Sequence, residues 1–291
     1  MDPVSFALLV TTNILGGSSY AATTYALRGF TPAEAAFWRT AIGCILFLFA
    51  GLPALRRLRL STGEWLRLAA VGFFGYAFPL VVGNLGQHLS SATNASILIG
   101  VEPVSLILLS AVFLGEPLTL LKWGSVLCGF SGAALVVSQG RLPDFGSSTL
   151  RGDLLLFLHG FCWALYSVIG KPLLKKIEPL AFTAVTTVFA LVPISLAAWP
   201  SMSAGRAEPV GGSAVGGIVY LAVVVTFLST SLWNKALQRV PASVMANFIF
   251  LQPLVGVLFG VLVQGERFSA WSAAGGAMIL LSVWGATRER A

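Results

Sequence analysis

The apolar residues of this chain fall in runs of about twenty, the length that spans a ~30 Å hydrocarbon core as helix. Short segments between the runs hold nearly all the Lys, Arg, Asp and Glu. With 56% hydrophobic and 10% charged residues in 291, the chain is far from the roughly 25% charge of a soluble domain. That excludes a soluble enzyme, a disordered chain and a disulfide-stapled secreted domain. A β-barrel is disfavoured, because barrel strands alternate polar and apolar over about ten residues and these runs do not. The first run is too long for a signal peptide's apolar region and lacks a basic segment before it, so it is expected to remain as a span. Cys44, Cys128 and Cys162 all sit inside apolar runs and read as small hydrophobes.

The expected fold is therefore an all-α polytopic membrane protein. Ten helices are placed at about 4–27, 33–52, 65–83, 92–114, 120–138, 152–170, 180–199, 215–233, 242–262 and 270–286. The breaks between them gather Pro, Gly and charge, as at Gly115-Glu116-Pro117 and Gln264 through Phe268. The net charge of +7 reads as loop bias rather than nucleic-acid binding. With the N-terminus inside, the inner segments hold twelve of the eighteen Lys and Arg and the outer ones five, Arg39 alone lying within a span. This asymmetry places both termini in the cytoplasm of a cell (inner) membrane protein.

The halves match each other at one offset. Glu102-Pro103 recurs as Gln252-Pro253, Gly115-Glu116 as Gly265-Glu266, Asn84 as Asn234 and Ala92 as Ala242, each 150 residues on. Thr31-Pro32 and Glu178-Pro179 match at offset 147. Five helices separate the copies, so the second copy crosses the membrane the opposite way. Residues 1–140 and 141–291 thus form two inverted five-helix repeats in one integral unit. Inverted repeats are a plan of secondary transporters, whose substrate site lies near the midplane where the halves meet.

The stretch Glu102-Pro103-Val104 through Phe113-Leu114-Gly115-Glu116-Pro117-Leu118-Thr119, followed by a Gly-rich apolar helix, resembles the signature of the drug/metabolite transporter superfamily. Gln252-Pro253-Leu254 through Gln264-Gly265-Glu266-Arg267-Phe268 resembles its degenerate second copy. The likeness covers the whole chain and is nearest to the ten-helix EamA-type exporters, and within them to bacterial exporters of aromatic and other amino acids. It departs at Gln252, where the first repeat has Glu102. The resemblance implies a central cavity lined mainly by helices 1, 3, 4, 6, 8 and 9, with helices 5 and 10 peripheral.

Only Arg39 and Glu102 are charged well inside a span, which makes each a functional candidate by cost alone. Arg39, about two turns into its helix, either snorkels outward or pairs across helices, or binds a carboxylate. Glu102, directly before the kinking Pro103, is a hinge, a protonation site, or a structural group bonded to a neighbouring helix. Pro79, Pro193 and Pro253 are expected to interrupt helices 3, 7 and 9; Pro79, Pro103 and Pro253 are the hinge candidates. The Gly-Glu pairs stand where a Glu can meet the next helix's N-terminal amides.

For substrate contact, His159, Trp163 and Tyr166 share one face of helix 6 at i, i+4 and i+7. Asn13, Gly17, Tyr20 and Thr24 form a similar stripe on helix 1. Tyr76, Trp233 and Asn247 are further candidates, although a Trp near a span end reads first as an interface anchor. Such groups suit a zwitterion with a flat or apolar side chain, and other amphiphiles too. The function expected is secondary export of small amphipathic metabolites, amino acids and aromatic ones foremost, by alternating access, with the bilayer and a small-molecule substrate as partners and the monomer as working unit. The alternatives are export of other metabolites or drug-like amphiphiles, an intramembrane enzyme using His88 or His159, and a sensor. No Walker A sequence is present, so ATP is not used by this chain, and no cofactor, metal or nucleic acid is called for.

Overall fold

The structure, a computed structural model, describes residues 1–90, 94, 98, 100–141, 149–205, 209–264 and 269–288. These residues form helices with no strand among them. In chain order the helices are α1 Pro3–Ala26, α2 Pro32–Leu55, and α3 made of Thr62–Ala70, Val71–Ala77 and Phe78–Leu89. Then come α4 Val101–Leu114, α5 Leu120–Ser138, α6 Leu150–Leu174 and α7 Pro179–Ser203. The last are α8 (Gly212–Tyr220, Leu221–Ser229, Thr230–Arg239), α9 (Ala242–Ile249, Leu251–Gln264) and α10 Ala270–Arg288.

Local chemistry sets the ends. Thr31 and Ser61 begin α2 and α3 with reciprocal capping boxes to Glu34 and Glu64, satisfying amides that the first turn leaves unpaired. Pro32 and Pro179 stand in the first turns of α2 and α7, where a missing N–H costs nothing. Among the described residues, α2, α3, α5, α6, α7, α8 and α10 are long and apolar enough to cross a membrane, and α4 and α9 are shorter apolar helices. The 24-residue α1 is more polar, because its Thr, Asn and Ser residues face inward, as described below. Outward faces carry Phe49, Val112, Trp199 and Trp284 in the open, a surface that suits acyl chains and not water.

The chain folds as two repeats, and four structural features recur between them. First, Gly100 and Phe250 are turn residues of nearly the same conformation (φ −68°, ψ −10° and φ −63°, ψ −12°), at the head of α4 and within α9. Second, α3 and α8 both widen into π-helix, over Val71–Ala77 and Leu221–Ser229. Third, Asn84 donates to the carbonyl of Pro32 at 3.1 Å, while Asn234 donates to Thr183 at 2.8 Å, whose hydroxyl donates to the carbonyl of Pro179. Fourth, α4 crosses α6 with Glu102 against Gly160, and α9 crosses α1 with Gln252 against Gly17. A Cβ on Gly160 would stand 2.9 Å from the Glu102 nitrogen, and one on Gly17 2.7 Å from the Gln252 carbonyl oxygen, so only glycine admits these crossings. α5 and α10 pack on each other. The Ala92 and Glu266 matches lie outside the described residues.

Proline acts in two ways here. Ile249, the last helical residue before the α9 break, is four residues before Pro253, and Gly75, in the π segment, is four before Pro79. Those carbonyls are the ones a proline ring displaces. The interruption expected at Pro193 is corrected: α7 runs unbroken with Pro193 inside it, as spans do when the freed carbonyl is otherwise accommodated.

Candidate functional site

Because α1, α2 and α3 bring polar groups inward from one repeat and α6 and α8 from the other, a cavity of about 180 Å³ forms where the repeats meet. Its walls are α1 with Thr12 and Asn13, α3 with Tyr76 and Asn84, α6 with His159 and Trp163, and α8 with Ser229 and Trp233. Arg39 of α2, Glu102 of α4 and Gln252 of α9 complete it. The lining thus comes from the six helices expected, joined by α2 through Arg39; α5 and α10 contribute nothing to it.

The aromatic wall is a cluster of edge contacts. Tyr76 meets Trp163 at 5.5 Å and Tyr166 at 6.2 Å, and Trp163 meets Tyr166 at 5.7 Å and His159 at 6.3 Å between ring centroids. These are the T-shaped and tilted geometries that the ring quadrupole favours. Tyr76 and Tyr166 are buried, while Trp163 and His159 are half-buried, and all four line the cavity. His159 Nδ1 lies 2.7 Å from the carbonyl oxygen of Pro79. A carbonyl only accepts, so Nδ1 carries the proton.

The polar wall is tied together across the repeats. Thr12 donates to the Ser229 carbonyl at 2.8 Å and Ser229 donates back to the Thr12 carbonyl at 3.0 Å. Gln252 donates to Asn13 at 3.0 Å, and Asn13 donates to the Leu9 carbonyl. Arg39 does not snorkel: its Nε donates to the Thr226 hydroxyl, 3.1 Å away in the π segment of α8. The neighbouring-helix bond considered for Glu102 is corrected too, since among the described residues its side chain has no hydrogen-bond partner and faces the cavity.

On the side of the chain termini the cavity floor is tied by hydrogen bonds and backed by the buried Leu174, Leu237 and Val240. Asn234 donates to the Tyr166 hydroxyl at 2.8 Å, and Trp233 donates to Ser167 at 3.2 Å. Trp233 is therefore a cavity residue rather than an interface anchor. One layer further, Lys171 donates to the carbonyls of Leu237 and Val240. Glu116 accepts from the amides of Ala242 and Ser243, both at 2.9 Å, and from the Ser243 hydroxyl at 2.6 Å. This corrects the expectation for the Gly-Glu pair: Glu116 caps α9 of the other repeat, and the next helix, α5, is capped by Thr119.

Among the expected contact residues, Asn13, Tyr76, His159, Trp163 and Tyr166 come together with Arg39 and Glu102. Asn247 does not: it is buried against α10, accepting from Ser282 at 2.9 Å. The side chains of Tyr20 and His88 lie outside those described. Thr226 and Ser229 were missed, although they lie seven and four residues before Trp233, on its face of a regular helix. No group of three or more metal-ligating side chains occurs among the described residues.

The model of the EamA-like transporter family matches residues 4–138 and again residues 150–288. The chain belongs to this family, within the drug/metabolite transporter superfamily. Its two matches fall on the two five-helix repeats. An "Uncharacterized transporter" of Archaeoglobus fulgidus is 30% identical, covering 100% of this chain and 99% of that protein. A "Probable terminal-alkyne amino-acid exporter" of Streptantibioticus cattleyicolor is 27% identical over 94% of this chain and 90% of its own length. A solved crystal structure shares the fold, with a TM-score of 0.82 over 99% of this chain and 97% of that one at 19% identity. The EamA-type chain is thus a multi-pass membrane transporter and not an enzyme.

Proposed function

We propose that this EamA-type transporter is a secondary exporter of small amphipathic metabolites, with amino acids, aromatic ones foremost, as its substrates. The observation that carries this reading is the cavity between the repeats, whose lining joins clustered aromatic side chains with the Arg39 cation and the Glu102 carboxyl group. Asn13, Tyr76, His159, Trp163 and Tyr166 are its contact residues. The amino-acid exporter among its relatives supports the same substrate class.

The charge asymmetry of the loops supports both termini being cytoplasmic in the cell (inner) membrane. The packed floor is then the cytoplasmic closure, and the cavity faces outward. Export proceeds as residues 1–140 and 141–291 rock about the cavity, with the paired π segments and the residues near Pro79, Pro103 and Pro253 as flexible joints. A single chain suffices, because the whole cavity lies within it. Flux of labelled tryptophan, phenylalanine and threonine in proteoliposomes, with and without a pH gradient, tests the reading; rates equal to protein-free liposomes for all three refute it.

A further inference from the structure

We infer that Arg39 is the anchor for a substrate carboxylate, so that the cavity selects solutes carrying a carboxylate over those carrying only an amine. The inference rests on the exporter reading above and specifies its substrate class. A guanidinium remains charged under all physiological conditions and presents five N–H donors. Arg39 spends one of them, Nε, on Thr226. Among the described residues no carboxylate lies within ion-pair distance of it; the ion pairs found join Lys171 to Glu116 and Lys176 to Glu64. Glu102, the one carboxyl group in the lining, shares the cavity without pairing with it.

With Nε held, the guanidinium is oriented, and its end-on pair of terminal nitrogens stays available. That edge matches a carboxylate in the two-bond geometry that makes Arg the preferred carboxylate receptor. A cation in a span carries a standing cost that an arriving anion relieves, so binding energy is concentrated on this group. The aromatic wall beside it, from Tyr76 to Trp163, takes the remainder of the solute. Thr226 is a positioning residue in this scheme: it holds the fork and touches no substrate.

Three probes separate the possibilities when titrated calorimetrically against the full chain in lipid nanodiscs: L-phenylalanine, 3-phenylpropanoate, which has only the carboxylate, and 2-phenylethylamine, which has only the ammonium. The inference expects the first two to bind and the amine to bind weaker than L-phenylalanine by roughly tenfold or more. Arg39→Gln should weaken the two carboxylates by a similar factor and leave the amine unchanged, with Arg39→Lys intermediate because it keeps the charge and loses the fork. Should Arg39→Gln fail to fold, the ranking on the wild-type chain decides without it. Amine binding equal to L-phenylalanine, an Arg39→Gln variant that binds carboxylates normally, or no binding of any probe at millimolar concentration overturns the inference. Binding of 3-phenylpropanoate without L-phenylalanine keeps it and removes the amino-acid reading. Binding of the amine alone removes the inference and leaves an amphiphile exporter.

Discussion

Glu116 accepts both the amide and the hydroxyl of Ser243, at 2.9 and 2.6 Å, so a loop of one repeat caps a helix of the other. The carboxylate also takes the Ala242 amide and lies 4.0 Å from Lys171. A negative group at a helix N-terminus meets both unpaired amides and the positive end of the helix dipole. The two repeats are thus joined at this face by a polar clasp beside the buried apolar contacts of Leu106 and Ile107 with the cluster that holds Val244 and Met245.

Removing that clasp has a predicted cost. Glu116→Ala strands the α9 amides and should lower stability by about 1.5–3 kcal/mol, the range for hydrogen bonds to a charged partner. Thermal unfolding of the detergent-solubilised variant checks it, and an unchanged midpoint contradicts it. Burial pushes the Glu116 carboxyl up, but the Ser243 hydroxyl, the Ser243 and Ala242 amides and Lys171 together outweigh it and hold it below the ordinary carboxylate range. A depressed native value means that the stabilisation is complete above the ordinary carboxylate range and is lost as pH falls through the lowered native one. The difference between wild type and variant should therefore stay constant from neutral pH down to the ordinary carboxylate range and shrink only below it.

The crossing of α9 over α1 gives a second prediction. Gly17→Ala places a methyl group against the Gln252 carbonyl and should cost about 1–3 kcal/mol by overpacking, with transport falling alongside. Gly124→Ala on α5 is the matched control: nothing lies within 4 Å of its added carbon, and helix propensity alone predicts a gain of up to about 1 kcal/mol. Equal midpoints for the two variants would show that the crossing is not tightly packed.

Much of this architecture was legible in the sequence, and the reasons for the exceptions are specific. The spans and the repeat could be read because run length and a constant 150-residue offset are properties of the chain alone. The stripe at His159, Trp163 and Tyr166 could be read because it lies on one regular helix. Trp233 misled because its distance from a helix end was judged against a span ending near residue 233, whereas α8 continues to Arg239. Asn247 misled because its partner Ser282 is on another helix, a tertiary fact. The π segments left no trace in the sequence: Val71–Ala77 and Leu221–Ser229 have ordinary apolar compositions.

The aromatic wall supplies the third prediction. Trp163 touches Tyr76, Tyr166 and His159, and each such aromatic pair is worth about 0.5–1.5 kcal/mol beyond its burial. Trp163→Ala should reduce amino-acid flux by roughly tenfold or more while the protein remains monodisperse, and Trp163→Phe should restore part of it. An alanine variant as active as the wild type would remove Trp163 from the site.

The central claim, that the cavity between the two repeats carries solute by alternating access, is tested most directly by counterflow. Proteoliposomes loaded with unlabelled phenylalanine are placed in a trace of labelled phenylalanine, and the internal label is followed in time. The account predicts a transient accumulation of label above its external concentration with wild-type protein, and none with Trp163→Ala. Simple equilibration without overshoot in the wild type, or an overshoot undiminished by Trp163→Ala, would contradict it.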